Sequence, residues 1–245
     1  MGTPLLVEFF SALPEDAVQE APDLPASRSA DRDGQARKPA TGGKARRRAA
    51  IHVFCKQVQE RYTEGTLLRL LQVGDVSARR AGVFALGLLG SMTANEALAS
   101  CLHDEDEEVA RLASDALWTL WFRGDTSPHS DELHRIVRSR DPEKALAGLN
   151  DLIGRAPQFA EAYNQRAIIH FRLDQFDRSA ADCESALKLN PHHFGAQAGL
   201  GQCFLRLRKH RAALRAFKVA LRINPRLEGV AEAVRTLENT LGEAE

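Results

Sequence analysis

The hexapeptide ALKLNP at residues 186–191 returns as ALRINP at residues 220–225, a spacing of 34 residues. Around it, Ala162, Arg172 and Leu173 are matched at Ala196, Arg206 and Leu207. Apolar residues recur every three to four positions through both copies, which is the period of a helix and not of a strand. Small residues stand in register at Ala167 and Gly201, Ser179 and Ala213, and Ala186 and Ala220. A pair of crossing helices needs small residues at the crossing. Pro191 and Pro225 end the second helix of each copy, because proline lacks the amide that would continue the hydrogen-bond ladder. Each 34-residue copy therefore reads as a helix–turn–helix unit.

Such a unit at this period resembles the tetratricopeptide repeat, and AYNQRAIIHF at 162–171 is similar to the first helix of many of them. One unit upstream, at 126–159, DPEKALAGLNDLIGRAP keeps Ala145, Leu149, Leu152 and Pro157 at the expected places of a second helix. Its first helix, SPHSDELHRIVRS, departs from the pattern at Glu132 and Leu133. This unit is degenerate and reads as a junction, with Trp118, Trp121 and Phe122 covering the seam. Residues 226–241 read as a capping helix with Arg235 and Glu238 on its outer, polar face, as the end of a repeat array requires.

Further toward the N-terminus the period changes to 31. Residues 65–95 slide onto 96–126 with Leu67/Leu98, Leu71/Leu102, Asp75/Asp106, Arg80/Arg111, Ala85/Ala116, Leu86/Leu117 and Leu89/Leu120 coinciding. Each unit reads as a short helix, an aspartate N-cap, then a longer helix with a small-residue inner face. ARRAGVFALGLLG at 78–90 and VARLASDALWTL at 109–120 resemble short HEAT repeats of the lyase-associated kind. Two units cannot stand alone, so a helix over 46–62 is expected to cap them. The predicted architecture is all-α: a right-handed superhelix of helical hairpins, an α-solenoid, with HEAT-like units at 46–125 followed by tetratricopeptide units and a capping helix at 126–245.

Residues 1–45 are expected to be a low-complexity, disordered arm with one short helix over 5–20, because 22–45 lose almost all apolar content. Charge is segregated there: residues 1–36 carry seven acids and two arginines, and 37–48 carry six basic residues and no acid. Arg37, Lys38, Lys44, Arg46, Arg47 and Arg48 could meet nucleic acid, an anionic membrane or the acidic arm itself, or could simply be a solvated helix start. The chain as a whole balances 33 Lys+Arg against 33 Asp+Glu over 245 residues, which argues against nucleic-acid binding over the whole surface.

No chemistry announces itself. The eight histidines form no HExxH or other metal-ligand spacing, and there is no GxSxG, P-loop or GxGxxG. His192 and His193 read as a solvated turn after Pro191. The acidic run HDEDEE at 103–108 sits at a helix start, where carboxylates cap and favour the positive end of the dipole. Cys55, Cys101, Cys183 and Cys203 form no CxxC pair and read as buried, reduced thiols. There is no basic-then-apolar leader at 1–14, and the longest apolar run, Ala81 to Met92, is 12 residues, short of the ~20 a bilayer requires. A cytoplasmic location is expected.

What remains is recognition. The tetratricopeptide resemblance implies a concave groove lined by first helices, carried here by Glu161, Asn164, Ile168, Phe171 and Arg172, then by Gly195, Ala198, Gln202, Leu205 and Arg206. Two arginines, two amides and apolar area suit an extended peptide or helix with an acidic group. The two-carboxylate clamp of chaperone-binding family members needs Lys and Asn where this chain has other residues. Arg166 is expected to pair with Asp182, since an unpaired half-buried guanidinium is costly. The reading is a non-enzymatic scaffold with a protein or peptide partner and no cofactor. The alternatives are an accessory subunit of a lyase or modifying complex, and an anionic-surface tether through the basic N-terminal segment.

Overall fold

The computed structural model describes residues 4–19 and 41–242, all helix and connecting turns. It divides into two compact units, Met1–Leu120 and Trp121–Glu245. Residues 22–40 of the expected linker, including Arg37 and Lys38, lie outside the described residues, whereas its last five, 41–45, are not disordered but open the helix Thr41–Arg61.

The first unit holds α1 (Leu5–Ser11), α2 (Glu15–Gln19), α3 (Thr41–Arg61), α4 (Glu64–Val73), α5 (Val76–Leu89) and α6 (Asn95–Ser100), with short 3-10 turns on either side of α6. The first 14 residues of α7 (Glu107–Phe122) also belong to it. The 31-residue period is visible in the caps. Asp75 Oδ1 accepts the Ala78 amide at 2.8 Å, and Asp106 Oδ1 accepts the Val109 amide at 3.0 Å. The acidic run thus caps α7, and it does more: Arg79 Nε donates to Asp104 at 2.7 Å and Arg80 Nε to Asp106 at 2.8 Å. The Arg80 guanidinium lowers the Asp106 carboxyl to about 2.

The small residues expected on the inner faces, Ala81, Ala85, Ala113 and Ala116, are buried. A Cβ on Gly87 would lie 2.7 Å from Ala116 Cβ and 2.9 Å from its Cα. Backbone meets backbone there, so only glycine fits. The chain start is better anchored than its composition suggests. Leu6 and Ala17 are buried, the Leu6 amide donates to Tyr62 Oη at 3.0 Å, and Phe10 packs on Phe84 at 5.4 Å between ring centres. Within the basic run, Arg47 stands 3.6 Å from Asp16 of the acidic arm.

The second unit continues from Trp121 through α8 (Ser127–Val137), α9 (Pro142–Arg155), α10 (Ala160–Arg172), α11 (Phe176–Leu189), α12 (Phe194–Arg206), α13 (His210–Ile223) and α14 (Glu228–Gly242). Its 34-residue repeat recurs in backbone detail. Asp174 and Arg208, 34 apart, both take φ 57° where α10 and α12 end. Asn190 and Asn224 are both buried, and their Oδ1 atoms accept the amides of His192 and Arg226 at 3.2 and 3.1 Å. At the helix crossings, Ser179 Oγ donates to the Ala167 carbonyl at 2.8 Å, and a Cβ on Gly201 would lie 2.5 Å from the Phe217 ring.

α14 closes the unit by burying Val234 and Leu237 against Phe217, while Glu238 on its outer side meets Lys218 at 2.6 Å. Of the thiols, Cys101, Cys183 and Cys203 are buried and Cys55 is half-buried. Burial pushes the Cys101 thiol up to about 11. The hydrogen bond Cys183 shares with Cys203, together with burial, holds the Cys183 thiol protonated.

Candidate peptide-binding groove

The first helices of the repeats are α8, α10 and α12, and their amphipathic patterns decide which side chains stay in water. Along α10, Ala162 and Ala167 turn inward, leaving Ile168 and Phe171 half-buried and Arg172 exposed. Along α12, Ala196, Leu200 and Cys203 turn inward, leaving Leu205 half-buried and Gln202 and Arg206 exposed. These six residues each keep part of their surface in water.

Phe171 packs on the core that includes Ala167, Cys183 and Leu200, and meets Phe176 edge-on with 5.3 Å between ring centres. The Arg206 guanidinium lies over Phe176 at 4.3 Å and donates to Asp174 Oδ1 at 3.0 Å. Both members of that ion pair are more than half exposed, so it contributes at most about 1 kcal/mol and a ligand carboxylate can replace Asp174 cheaply. Arg172 has no ion pair among the described residues.

Glu161 and Asn164 correct the expectation. They are 1% and 3% exposed and line no open surface. The Glu161 carboxylate accepts from Asn164 Nδ2 at 3.1 Å, Gln165 Nε2 at 2.6 Å and His193 Nε2 at 2.8 Å. A buried carboxylate is tolerated when several donors satisfy it, and here they come from α10 itself and from the start of α12.

His193 was expected in a solvated turn and is instead fully buried. Its Nδ1 accepts the Ala196 amide at 3.1 Å, so the ring caps α12. That amide contact places the ring proton on Nε2, which donates to Glu161. Trp121 stacks on the imidazole at 4.0 Å and also packs on Phe194. The signal in the sequence was present: 34 residues to either side stand Phe159 and Leu227, so the position is apolar in its neighbours.

Arg166 behaves as expected, gripping Asp182 through Nε at 2.8 Å and Nη2 at 2.7 Å, and reaches Asn150 through Nη1 at 2.7 Å. One guanidinium thus links α9, α10 and α11.

The degenerate repeat adds a residue that pattern reading missed. Arg138 directly follows α8 and is exposed. It stands 34 residues before Arg172 and 68 before Arg206. An arginine therefore closes each of the three first helices. Cations are favoured at a helix C-terminus, and here they also repeat on one side of the unit. Beside Arg138, His134 stacks on Phe122 at 5.0 Å, and burial lowers its pKa below the ordinary value.

Among the described residues no group of three or more His, Cys, Asp and Glu side chains is arranged to hold a metal, and no helix is long and apolar enough to cross a membrane. The arrangement offers cations, one exposed amide and apolar steps.

Comparison with known proteins agrees with the second unit. Residues 164–228 match the family model described as tetratricopeptide repeat. A TPR repeat-containing protein of Rhizobium etli is 31% identical over 106 residues, 43% of this chain and 52% of that protein. The protein SGT1 homolog of Bos taurus is 32% identical over 85 residues, 35% of this chain and 25% of that protein. The chain thus spans about half or less of these relatives. Among solved structures, the first TPR of Spaghetti (RPAP3) bound to HSP90 peptide SRMEEVD aligns with 47% of this chain and 91% of its own, at a TM-score of 0.44 and 19% identity.

Proposed function

We propose that the chain is a non-enzymatic, cytoplasmic protein–protein interaction scaffold whose second unit takes an extended acidic peptide along α10 and α12. The observation that carries the reading is the recurrence of exposed Arg138, Arg172 and Arg206 at the ends of three successive first helices, with half-buried Ile168, Phe171 and Leu205 beside them. Guanidinium forks pair with carboxylates in two parallel hydrogen bonds, and the apolar steps accept side chains between the acids. Glu161 and Asn164 serve beneath this surface as part of the network joining α10 to α12.

Within this proposal residues 46–125 are HEAT-like units that support the scaffold, and 126–245 are the recognition module. The peptide carried by the Spaghetti structure is not assigned to this chain, whose groove residues differ from the two-carboxylate clamp. Selection from a random-peptide display library on the purified chain tests the reading. Enriched peptides are expected to carry Asp or Glu beside an apolar residue, and Arg172→Glu with Arg206→Glu to weaken them more than tenfold. Peptides without acids, or binding indifferent to both substitutions, would refute it.

A further inference from the structure

A second surface of the same unit is charged in a way the fold does not require. Between Glu184 and Glu228 the chain holds nine Lys and Arg and no acid, in a protein whose total charge is zero. Four of the nine, Arg211, Arg215, Lys218 and Arg222, are exposed on α13 at spacings of 4, 3 and 4 residues, which places them in one row. At 1.5 Å per residue the row is about 16 Å long. It lies opposite the buried face of Ala213, Ala216, Phe217 and Ala220.

The repeat supplies its own control. The matching positions of α11 are Asp177, Ala181, Glu184 and Lys188, and those of α9 are Glu143, Ala147, Asn150 and Gly154. The same face is thus net −1 in each of the two preceding repeats and +4 in α13. Hairpin packing is indifferent to charge at these positions. The row even opposes helix formation, because like charges at i,i+3 and i,i+4 repel and α13 has no acid in its first turn. Lys218 is partly offset by Glu238 at 2.6 Å, whereas Arg215 and Arg222 make no hydrogen bond or ion pair among the described residues.

We propose that the outer face of α13 docks an acidic helix of a partner protein, at a site separate from the groove and independent of the reading given for it. Three of the four cations are arginines, which suit paired carboxylates. Half-exposed Ala212 and Val219 flank the row at i,i+7, the spacing at which a partner helix would set its own apolar residues. Other anions fit less well. The face exposes no aromatic ring for stacking bases and no large apolar side chain to enter a bilayer. A neutral chain also lacks the broad basic surface of duplex binding.

The test is fluorescence anisotropy on the full chain with a labelled Ala-rich helical peptide carrying Glu at i, i+4, i+7 and i+11. A 20-base-pair duplex and phosphatidylserine-containing vesicles are run beside it. Binding is expected to the peptide, weakening at least tenfold from 50 to 300 mM salt and at least tenfold on Arg215→Glu with Arg222→Glu. Arg215→Ala with Arg222→Ala gives a smaller loss in the same direction and serves if the reversal disturbs the helix content. Lys144→Glu with Arg178→Glu, the same charge change placed on α9 and α11, is expected to leave this binding intact. Tighter binding of duplex or vesicles than of peptide, no effect of the α13 substitutions, or an equal loss on the α9 and α11 substitutions would overturn the proposal.

Discussion

Replacing His193 by alanine removes three interactions at once, and the structure sets the size of the loss. The Nε2 donor to the buried Glu161 carboxylate disappears, leaving a charged acceptor one partner short, at about 1.5–3 kcal/mol. The cap on α12 disappears with Nδ1, at about 1 kcal/mol. The stack on Trp121 is replaced by a void, at about 0.5–1.5 kcal/mol. Because one residue makes all three, the sum is an upper guide, and a loss of about 3–5 kcal/mol is expected.

For a chain of this size each kcal/mol moves the melting temperature by roughly 2–4 °C, so His193→Ala should lower the transition of the second unit by roughly 6–20 °C. Asparagine is a good N-cap with no reach to Glu161, so His193→Asn should recover about 1 kcal/mol of the loss. Thermal unfolding followed by circular dichroism and by tryptophan fluorescence, to which the stacked Trp121 contributes, reads all three proteins. If His193→Ala melts within 2 °C of the parent, or if asparagine is no better than alanine, the three-part account of this histidine is wrong.

Other consequences are sharper in sign than in size. Gly201→Ala drives a methyl into the buried Phe217 ring, and overpacking of about 1–3 kcal/mol outweighs the roughly 1 kcal/mol helix gain. Gly154→Ala meets nothing within 4 Å and should stabilise by about 0.4–1 kcal/mol. Urea denaturation of the pair should therefore show opposite signs, and equal signs would contradict the packing. Asp106 is held at about 2 by Arg80, below its unfolded value near 3.8, so its contribution is present above about pH 4 and is lost as pH falls toward 2. Asp106→Asn keeps a capping side chain and removes this titration, and acid unfolding between pH 4 and 2 should become shallower; an unchanged slope would contradict the assigned cause.

The parts of the molecule visible in its sequence are those written twice. ALKLNP and ALRINP, the paired aspartate caps at 75 and 106, and the small residues at the helix crossings are local and periodic, and they determine helices without reference to distant contacts. The Arg166–Asp182 pair was also legible, since it joins neighbouring helices of one unit. The Glu161–His193–Trp121 cluster was not, because it joins residues 40 and 32 positions apart; the repeat partners Phe159 and Leu227 signal that position 193 is buried but not what it meets. Glu161 was placed in the groove because the tetratricopeptide resemblance puts its position there, and only the converging donors show why it is buried instead. Arg138 was obscured because the rest of its helix departs from the pattern.

The groove is tested most directly by NMR shift mapping of the folded chain with a display-selected acidic peptide. The account predicts that perturbed amides cluster at Ile168, Arg172, Gln202 and Leu205 on α10 and α12, and that they vanish with Arg172→Glu and Arg206→Glu. Perturbations confined to α11 and α13, or spread without a cluster, would contradict it.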